Sequence, residues 1–399
     1  MKKTLLICCL LLSTVIIVKA EEQPLPSWAL QNEENTDTRD RSRYANDSFR
    51  DDDRYKVDEP YAVVHVEQVK GNKIKNVIFM IGDGMGLEQL STAWVLNGGA
   101  LNIDNFLYTG FSRTYAVNKL ITDSCAGGSA LGTGVKTNYG WMGLDPEGNP
   151  VESSLLNAQK KGKKTGIITT CRLNDATPVD FFGHSDDRDD EAGIAAQYVG
   201  SGVNFIAGGG IKFWQNREDG RDLVAEMKAE GYEFASTNEE MEAAKGDRIL
   251  ALLAETEMPP ALERDNYLER ATMKAIETLD NKNGFFLMVE GSCIDDWAHK
   301  QKVGYMAEEL FDFDRTIGRV LEWAEKDGKT LVVVTADHNT GGLTLIKGDL
   351  KDRSVKVHFS TKGHNGIAVP VFAYGPHAAE FVGIHENAEV GQTVKNLLK

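Results

Sequence analysis

Long apolar runs are nearly absent from this 399-residue chain. The one of any length, Leu5 to Val18, follows Lys2 and Lys3 and gives way to Lys19-Ala20 before Glu21. It is too short to predict a membrane span and has the basic start, apolar middle and small-residue end of a secretory signal. Residues 1–20 therefore read as a signal peptide on an exported protein, periplasmic or secreted. Cysteine is scarce: of five, Cys8 and Cys9 fall in that segment, leaving Cys125, Cys171 and Cys293. An odd number cannot all pair internally and the spacing matches no zinc ribbon, so each reads as a small buried apolar residue. Basic residues are also in deficit, 44 against 60 acidic ones, for a formal net charge of -16. That balance argues against nucleic acid or an anionic membrane as partner. An anionic small molecule would need a local positive centre, from cations or a focused arginine.

What the chain does contain begins with Glu21 to Lys70, a charge-dense stretch (DTRDRSR, FRDDDRYKVDEP) that reads as a charged linker or peripheral N-terminal arm. Order is expected from Lys75, with one domain over 71–399. There, NVIFMIGDGMG predicts a buried strand running into a glycine-rich turn and a helix over Leu87 to Leu96. Apolar runs of strand length follow in KTGIITTC, VNFIAGGG, RILALL, GFFLMVEGS, TLVVVTADH and AVPVFAYGP. Between and after them lie the helical patterns EAGIAAQYV, DLVAEMKAEG, NYLERATMKAIETL, YMAEELFDFDRTIGRVLEWAEKDG and GQTVKNLLK. Alternation of this kind predicts an α/β fold, a three-layer sandwich whose large, mostly parallel central sheet is covered by helices on both faces.

Ligands of such sheets bind beyond the carboxyl ends of the strands, and those ends carry metal-type donors. Asp83 follows NVIFMIG, Asp175 and Thr177 lie past IITTC, Glu290 and Asp295 follow FFLMV, and Asp337-His338 follow LVVVTA. GDGMG resembles a dinucleotide loop, but Asp83 stands between the glycines where a pyrophosphate would approach, and a bare carboxylate repels it. A metal-bound carboxylate is the better account, with Gly82, Gly84 and Gly86 allowing close backbone approach. Asp295 and His299 are four residues apart, which places them on one face of a helical turn. KGHNG adds His364 in a glycine-flanked turn. Mixed carboxylate and imidazole donors suit zinc, and an all-oxygen set such as Asp83, Thr177 and Glu290 suits magnesium. Cations would supply the positive centre that the composition lacks.

One further stretch, TDSCAGGSALGTGVKT (Thr122 to Thr137), opens with Asp123-Ser124 and continues in small residues. Small residues let a helix lie hard against a sheet, and a serine in its first turn has its hydroxyl among unpaired backbone N–H groups. Ser124 reads either as the N-cap of a buried helix or as a nucleophile beside an anion site.

Together, GDGMG, TDS with TGVKT, DATP with an arginine thirteen residues after the Asp, EGSCID with a histidine four later, TADH, GHNG and AYGP make the chain resemble the bacterial alkaline phosphatases from about Lys75 to its end. The resemblance implies hydrolysis of small-molecule phosphate monoesters through a phosphoserine at Ser124, with two zinc ions and one magnesium ion, in a homodimer. It implies a zinc site on Asp295, His299 and His364, a second on Asp83, Asp337 and His338, and magnesium on Asp83, Thr177 and Glu290, with Asp175 around it. Arg188 matches the arginine that clamps phosphate as a fork. Cys125 stands where the family usually has Ala, but there is no Cys-x-Pro-x-Arg run to support sulfatase chemistry. Asp296 stands where relatives carry Lys, His or Trp near magnesium and phosphate, which leads us to expect weak retention of product. A phosphodiesterase of the same superfamily would share the two-zinc core, although Arg188 and the third site favour monoesters. A non-catalytic exported binder of metal or phosphate would need the ligands but not Asp123-Ser124 at a helix start.

Overall fold

In NVIFMIG all seven side chains are buried, and they divide by period two between two cores. Ile78 and Met80 pack with Leu90, Leu268 and Phe313, whereas Val77, Phe79 and Ile81 pack with Cys125, Leu131, Leu155 and Val390. A strand buried on both faces in this way requires a helical layer on each side. The computed structural model describes residues 53–398, so the signal peptide expected over 1–20 and residues 21–52 of the expected arm lie outside the described residues.

In chain order the strands are β1 (Arg54–Lys56), β2 (Asn76–Gly82), β3 (Tyr108–Arg113), β4 (Lys164–Arg172), β5 (Phe205–Gly209), β6 (Glu233–Ala235), β7 (Ile249–Leu252) and β8 (Phe285–Gly291). They continue as β9 (Thr330–Thr335), β10 (Asn339–Thr340), β11 (Leu343–Asp349), β12 (Ser354–Phe359), β13 (His364–Asn365), β14 (Val369–Tyr374) and β15 (Gly383–Glu386). Ten form the central sheet in the order β15-β3-β14-β9-β2-β8-β4-β5-β7-β6. Only β14 runs against the others, antiparallel to both β3 and β9. One face carries helices Leu87–Leu96, Tyr267–Leu279 and Val303–Asp327; the other carries Ser124–Thr133, Ser154–Lys160, Leu223–Ala229 and Asn387–Leu397. The expected α/β sandwich is therefore the observed one.

The central strands end nearly flush. Gly82 lies opposite Gly291, Ile81 opposite Thr335, and Glu290 opposite Thr169, so the residues that follow share one rim. Two small sheets cover the edges of the domain or its rim. β1, β12 and β11 form an antiparallel sheet, and β10 pairs with β13 so that Thr340 lies opposite His364.

Structure begins earlier than the expected Lys75. β1 pairs with β12, the Tyr61 hydroxyl donates to Asp314 Oδ2 (2.6 Å), and the Val64 amide donates to Asn102 Oδ1 (2.8 Å). The surrounding charge conceals an apolar series, Tyr55, Val57, Tyr61, Val66 and Val69, that packs against the core. The short strands β6 and β15, and β3 with its alternating exposure, carry no continuous apolar run to announce them.

Helix Ser124–Thr133 is buried along its whole length and ends at Gly134, whose φ of 75° suits glycine. Its small residues serve the close packing expected of them. A Cβ on Gly127 would lie 2.7 Å from the Asp337 carbonyl oxygen, and one on Gly391 of the neighbouring helix 2.5 Å from the Ala130 carbonyl. The helix therefore rests backbone to backbone on the loop after β9. Gly127→Ala should push it off that loop and lower stability by about 1–3 kcal/mol, the range for overpacking, as read from denaturant unfolding. An unchanged midpoint would refute the close approach.

Candidate active site

Asp123 is the N-cap of helix Ser124–Thr133, its Oδ1 accepting from the Ala126 amide at 3.1 Å. The cap reading of Ser124 is thereby corrected: an aspartate one residue earlier satisfies the helix end, and Ser124 is the first helical residue with its hydroxyl released from that task. Ser124 Oγ lies 3.2 Å from His338 Nε2 and 3.4 Å from Asp83 Oδ2.

Around His338 Nε2 the structure gathers the expected donors. Asp83 Oδ1 is 3.4 Å away and Asp337 Oδ2 3.2 Å. On the adjacent side, His299 Nε2 is 3.1 Å from both Asp295 Oδ2 and His364 Nε2, and His364 Nε2 is 3.6 Å from Asp295 Oδ1. His338 and His364 stack with ring centres 3.6 Å apart, so the two groups adjoin. Asp295 and His299 share the short helix Cys293–His299, as their spacing predicted. Gly84, at φ 69°, admits the approach: a Cβ there would lie 2.8 Å from Thr340 Oγ1 and 3.0 Å from Asp295 Oδ1.

Hydrogen bonds at the far ring nitrogens decide what these groups can hold. His364 Nδ1 donates to the Thr122 carbonyl at 2.8 Å, and His299 Nδ1 donates to the Lys362 carbonyl. Thr340 Oγ1 donates to Asp295 Oδ1 and so accepts from His338 Nδ1 at 3.2 Å. With each Nδ1 proton committed, all three rings turn Nε2 toward one another and toward carboxylate oxygens, and when neutral they present lone pairs there. Lone pairs and anions facing each other at 3.1–3.6 Å repel unless protons or cations lie among them. In a tetrahedral zinc site with bonds of about 2.0–2.1 Å, neighbouring donor atoms are about 3.3 Å apart, the spacing seen here. The donors fit, and backbone carbonyls on the far nitrogens are the usual support for metal-binding histidines.

Glu290, buried at the end of β8, accepts from the hydroxyls of Thr169 and Thr177. Burial pushes its carboxyl up to about 8, with the charges of Asp175 and Asp337 adding to the effect. Burial and the charge of Asp295 push Asp337 up to about 7. Arg188 bridges two acids, Nη1 to Asp123 Oδ2 at 3.3 Å and Nη2 to Asp175 Oδ1 at 3.2 Å. Its side chain keeps 20% exposure. Asp175 caps the short helix Ala176–Val179, which carries Thr177. Asp296 is buried on the helix of Asp295. Cys125, Cys171 and Cys293 are buried free thiols. Several residues here had no role assigned from sequence: Thr340, Thr169, Arg172, and the carbonyls of Thr122 and Lys362. Of these, Thr122 and Thr340 left a trace, Thr122 at the head of the TDS stretch and Thr340 two residues past His338 in TADHNTGG.

Fold and site define an α/β enzyme whose buried carboxylate and imidazole donors are arranged for cations beside a serine hydroxyl. Residues 74–350 and 344–399 match the family described as Alkaline phosphatase, and the chain belongs to that family of phosphatases. It is 37% identical over 292 residues to Alkaline phosphatase 4 of Bacillus subtilis (strain 168), a match covering 68% of this chain and 63% of that protein. It is 31% identical over 405 residues to the alkaline phosphatase of Escherichia coli (strain K12), covering 81% of this chain and 86% of the other. The alkaline phosphatase from the Antarctic bacterium TAB5 superposes with a TM-score of 0.77 at 35% identity, covering 82% of this chain and 99% of that one. A mutant of the TAB5 protein has been solved with Mg bound in the M3 site.

The raised carboxyls set a signed pH dependence. Asp337 and Glu290 titrate in the folded state at about 7 and about 8, above their ordinary 3.8 and 4.5. A raised acid contributes stability below its unfolded value and loses it as pH climbs through the folded one. Metal-free protein should therefore melt at progressively lower temperature between about pH 4 and 8, and the rise in melting temperature on adding Zn2+ should grow over the same range as protons are released. A metal-free melting temperature that is flat or rises across that window would contradict this account.

Proposed function

We propose that the protein hydrolyses small-molecule phosphate monoesters to alcohol and inorganic phosphate through a covalent phosphoserine at Ser124. The observation that carries this reading is Ser124 Oγ within 3.4 Å of donors from both sides of its cluster, Asp83 and His338, at a helix start whose cap also holds Arg188. Asp295, His299 and His364 would hold one zinc ion and Asp83, Asp337 and His338 another. Asp83, Thr177 and Glu290 would hold magnesium, with Asp175 nearby. Bound there, the cations would lower the pKa of the serine hydroxyl and offset charge on the leaving oxygen and the attacking water.

The remaining work falls to the chain itself. In the first step the Ser124 oxygen bonds to phosphorus as the ester P–O bond breaks and the alcohol departs. In the second, water cleaves the phosphoserine and restores the hydroxyl. Asp123 holds the helix end and one arm of Arg188, so nucleophile and fork are fixed relative to each other. Arg188 would meet two non-bridging oxygens with its planar guanidinium, which favours monoesters over the diesters taken by related phosphodiesterases. The same reading includes export to the periplasm or medium and assembly as a homodimer. Among the described residues, no helix is long and apolar enough to cross a membrane.

Ser124→Ala should abolish the phosphoenzyme and lower turnover by on the order of 10³-fold or more, measured by acid trapping of labelled phosphate and by steady-state assay. Labelling at the normal rate on another residue would refute the mechanism. Chelation should remove activity, with Zn2+ restoring more of it than Mg2+ alone. Full recovery with Mg2+ alone would overturn the zinc assignment. Faster cleavage of a phosphodiester than of a monoester by the metal-replete protein would favour the diesterase reading.

A further inference from the structure

The amino ends of β2, β4, β8 and β9, neighbours in the central sheet, lie on the rim opposite Ser124 and the metal-type donors. Between them is a cleft of about 490 Å³ whose charged lining is lysine alone: Lys73, Lys75, Lys163, Lys282 and Lys329. Each comes from the segment leading into one of these four strands, so the sheet itself gathers them in a chain of formal net charge -16. Short polar contacts fix the walls. The Lys75 amide donates to the Lys329 carbonyl at 2.8 Å, Lys163 Nζ donates to the carbonyls of Lys75 (2.7 Å) and Asn283 (3.0 Å), and Asn76 Nδ2 donates to Thr330 Oγ1 at 3.1 Å. Two acids stand nearby. Asp280 takes Lys75 Nζ at 2.8 Å, and Asp327 Oδ2 accepts from the Lys329 amide and the Thr330 hydroxyl. Among the described residues, the ammonium groups of Lys73, Lys282 and Lys329 have neither a hydrogen bond nor an ion pair. Burial first, and then the charges of Lys161 and Lys75, hold Lys163 below the usual lysine value.

We propose that this cleft binds a small soluble anion carrying several phosphate or sulfate groups, at a site separate from the catalytic one. A cleft lined by one sign of charge focuses its field and concentrates counter-ions. Three unengaged ammonium groups from three different loops suit an anion charged at several points, whereas a lone carboxylate would engage only one or two of them. Lysine is a flexible point charge with three donors and no fork, so it holds oxyanions by charge rather than by planar pairing. The volume of the cleft lies within the ~300–1,000 Å³ range of small-molecule sites. A concave site of this size favours a soluble anion over an anionic membrane, which the acidic remainder of the chain repels. The seven residues of β2 separate the cleft from Asp83 by about 20 Å at the usual rise per residue, so an anion bound there leaves the Ser124 rim free.

The test titrates the metal-replete protein with myo-inositol hexakissulfate, a polyanion with no phosphate ester to hydrolyse, by calorimetry at low salt, with the melting temperature of every variant recorded. Wild type should bind the probe at one site, with affinity that falls as salt rises. The triple variant Lys73→Gln, Lys282→Gln, Lys329→Gln removes three exposed side chains and should bind about tenfold more weakly or worse, the combined scale of three solvent-exposed ion pairs. A second triple variant with the same loss of charge elsewhere, Lys228→Gln, Lys347→Gln, Lys351→Gln, should change affinity by less than about twofold, and so should Arg188→Gln. Turnover of a phosphomonoester by the cleft variant should stay within about twofold of wild type. Equal weakening in the two triple variants would reduce the effect to overall charge, and loss of binding in Arg188→Gln would put the probe at the catalytic rim. Either result would overturn the proposal, as would a wild type that does not bind. If wild type ignores the probe but sediments with vesicles of equal parts phosphatidylglycerol and phosphatidylcholine through these lysines, the cleft faces a membrane and the assignment to a soluble anion falls.

Discussion

The constraint on which this structure depends is the burial of like charges. Asp83, Asp295, Asp337 and Glu290 are all withdrawn from water at the rim of one sheet, and three imidazoles beside three of them turn Nε2 into the same cluster. Such a group is costly in a low-dielectric interior unless protons or cations occupy it. The upward displacement of Asp337 and Glu290 is the mark of that cost. On the proposed function, cations would relieve it, and the same relief would give a strongly acidic chain a place to hold a phosphate.

Everything that brings the donors together can be seen as service to that cluster. Flush strand ends put Asp83, Glu290 and Asp337 on one rim. Gly84 lets the turn after β2 pass Asp295 and Thr340. The pairing of β10 with β13 brings Thr340 and His364 to the cluster from residues far apart in the chain. Beneath them, the small residues of helix Ser124–Thr133 allow contact with the backbone after β9, so Ser124 is held by main-chain packing rather than by long side chains. Asp123 joins the helix start to Arg188, and Asp175 joins Arg188 to Arg172. Two arginines separated by one carboxylate supply fixed positive charge where the overall balance is negative.

The sheet was legible where burial leaves no ambiguity. β2, β8 and β9 are covered on both faces, so their sequences are unbroken apolar runs. β3 alternates, β6 and β15 are short, and the arm around Tyr55 and Tyr61 hides its apolar residues among charges, so these did not stand out. An apolar run is also blind to direction: AVPVFAYGP predicts a strand but not that β14 runs against its neighbours. At the site, the metal-type donors were visible because the ends of parallel strands are where ligands gather. Ser124 was visible as a helix-start residue, but its neighbour Asp123 proved to be the cap.

The sequence by itself determined the class of fold, the acidic balance, and the set of carboxylates, imidazoles and serine from which the site is made, because periodicity and side-chain chemistry are local properties. Only the tertiary structure decided which ring nitrogens keep their protons, that Thr340 supports both Asp295 and His338, and that Arg172 and Arg188 both meet Asp175. Those facts depend on distances between residues tens to hundreds of positions apart or on which oxygen of one carboxylate faces which partner. Neither is encoded in spacing along the chain.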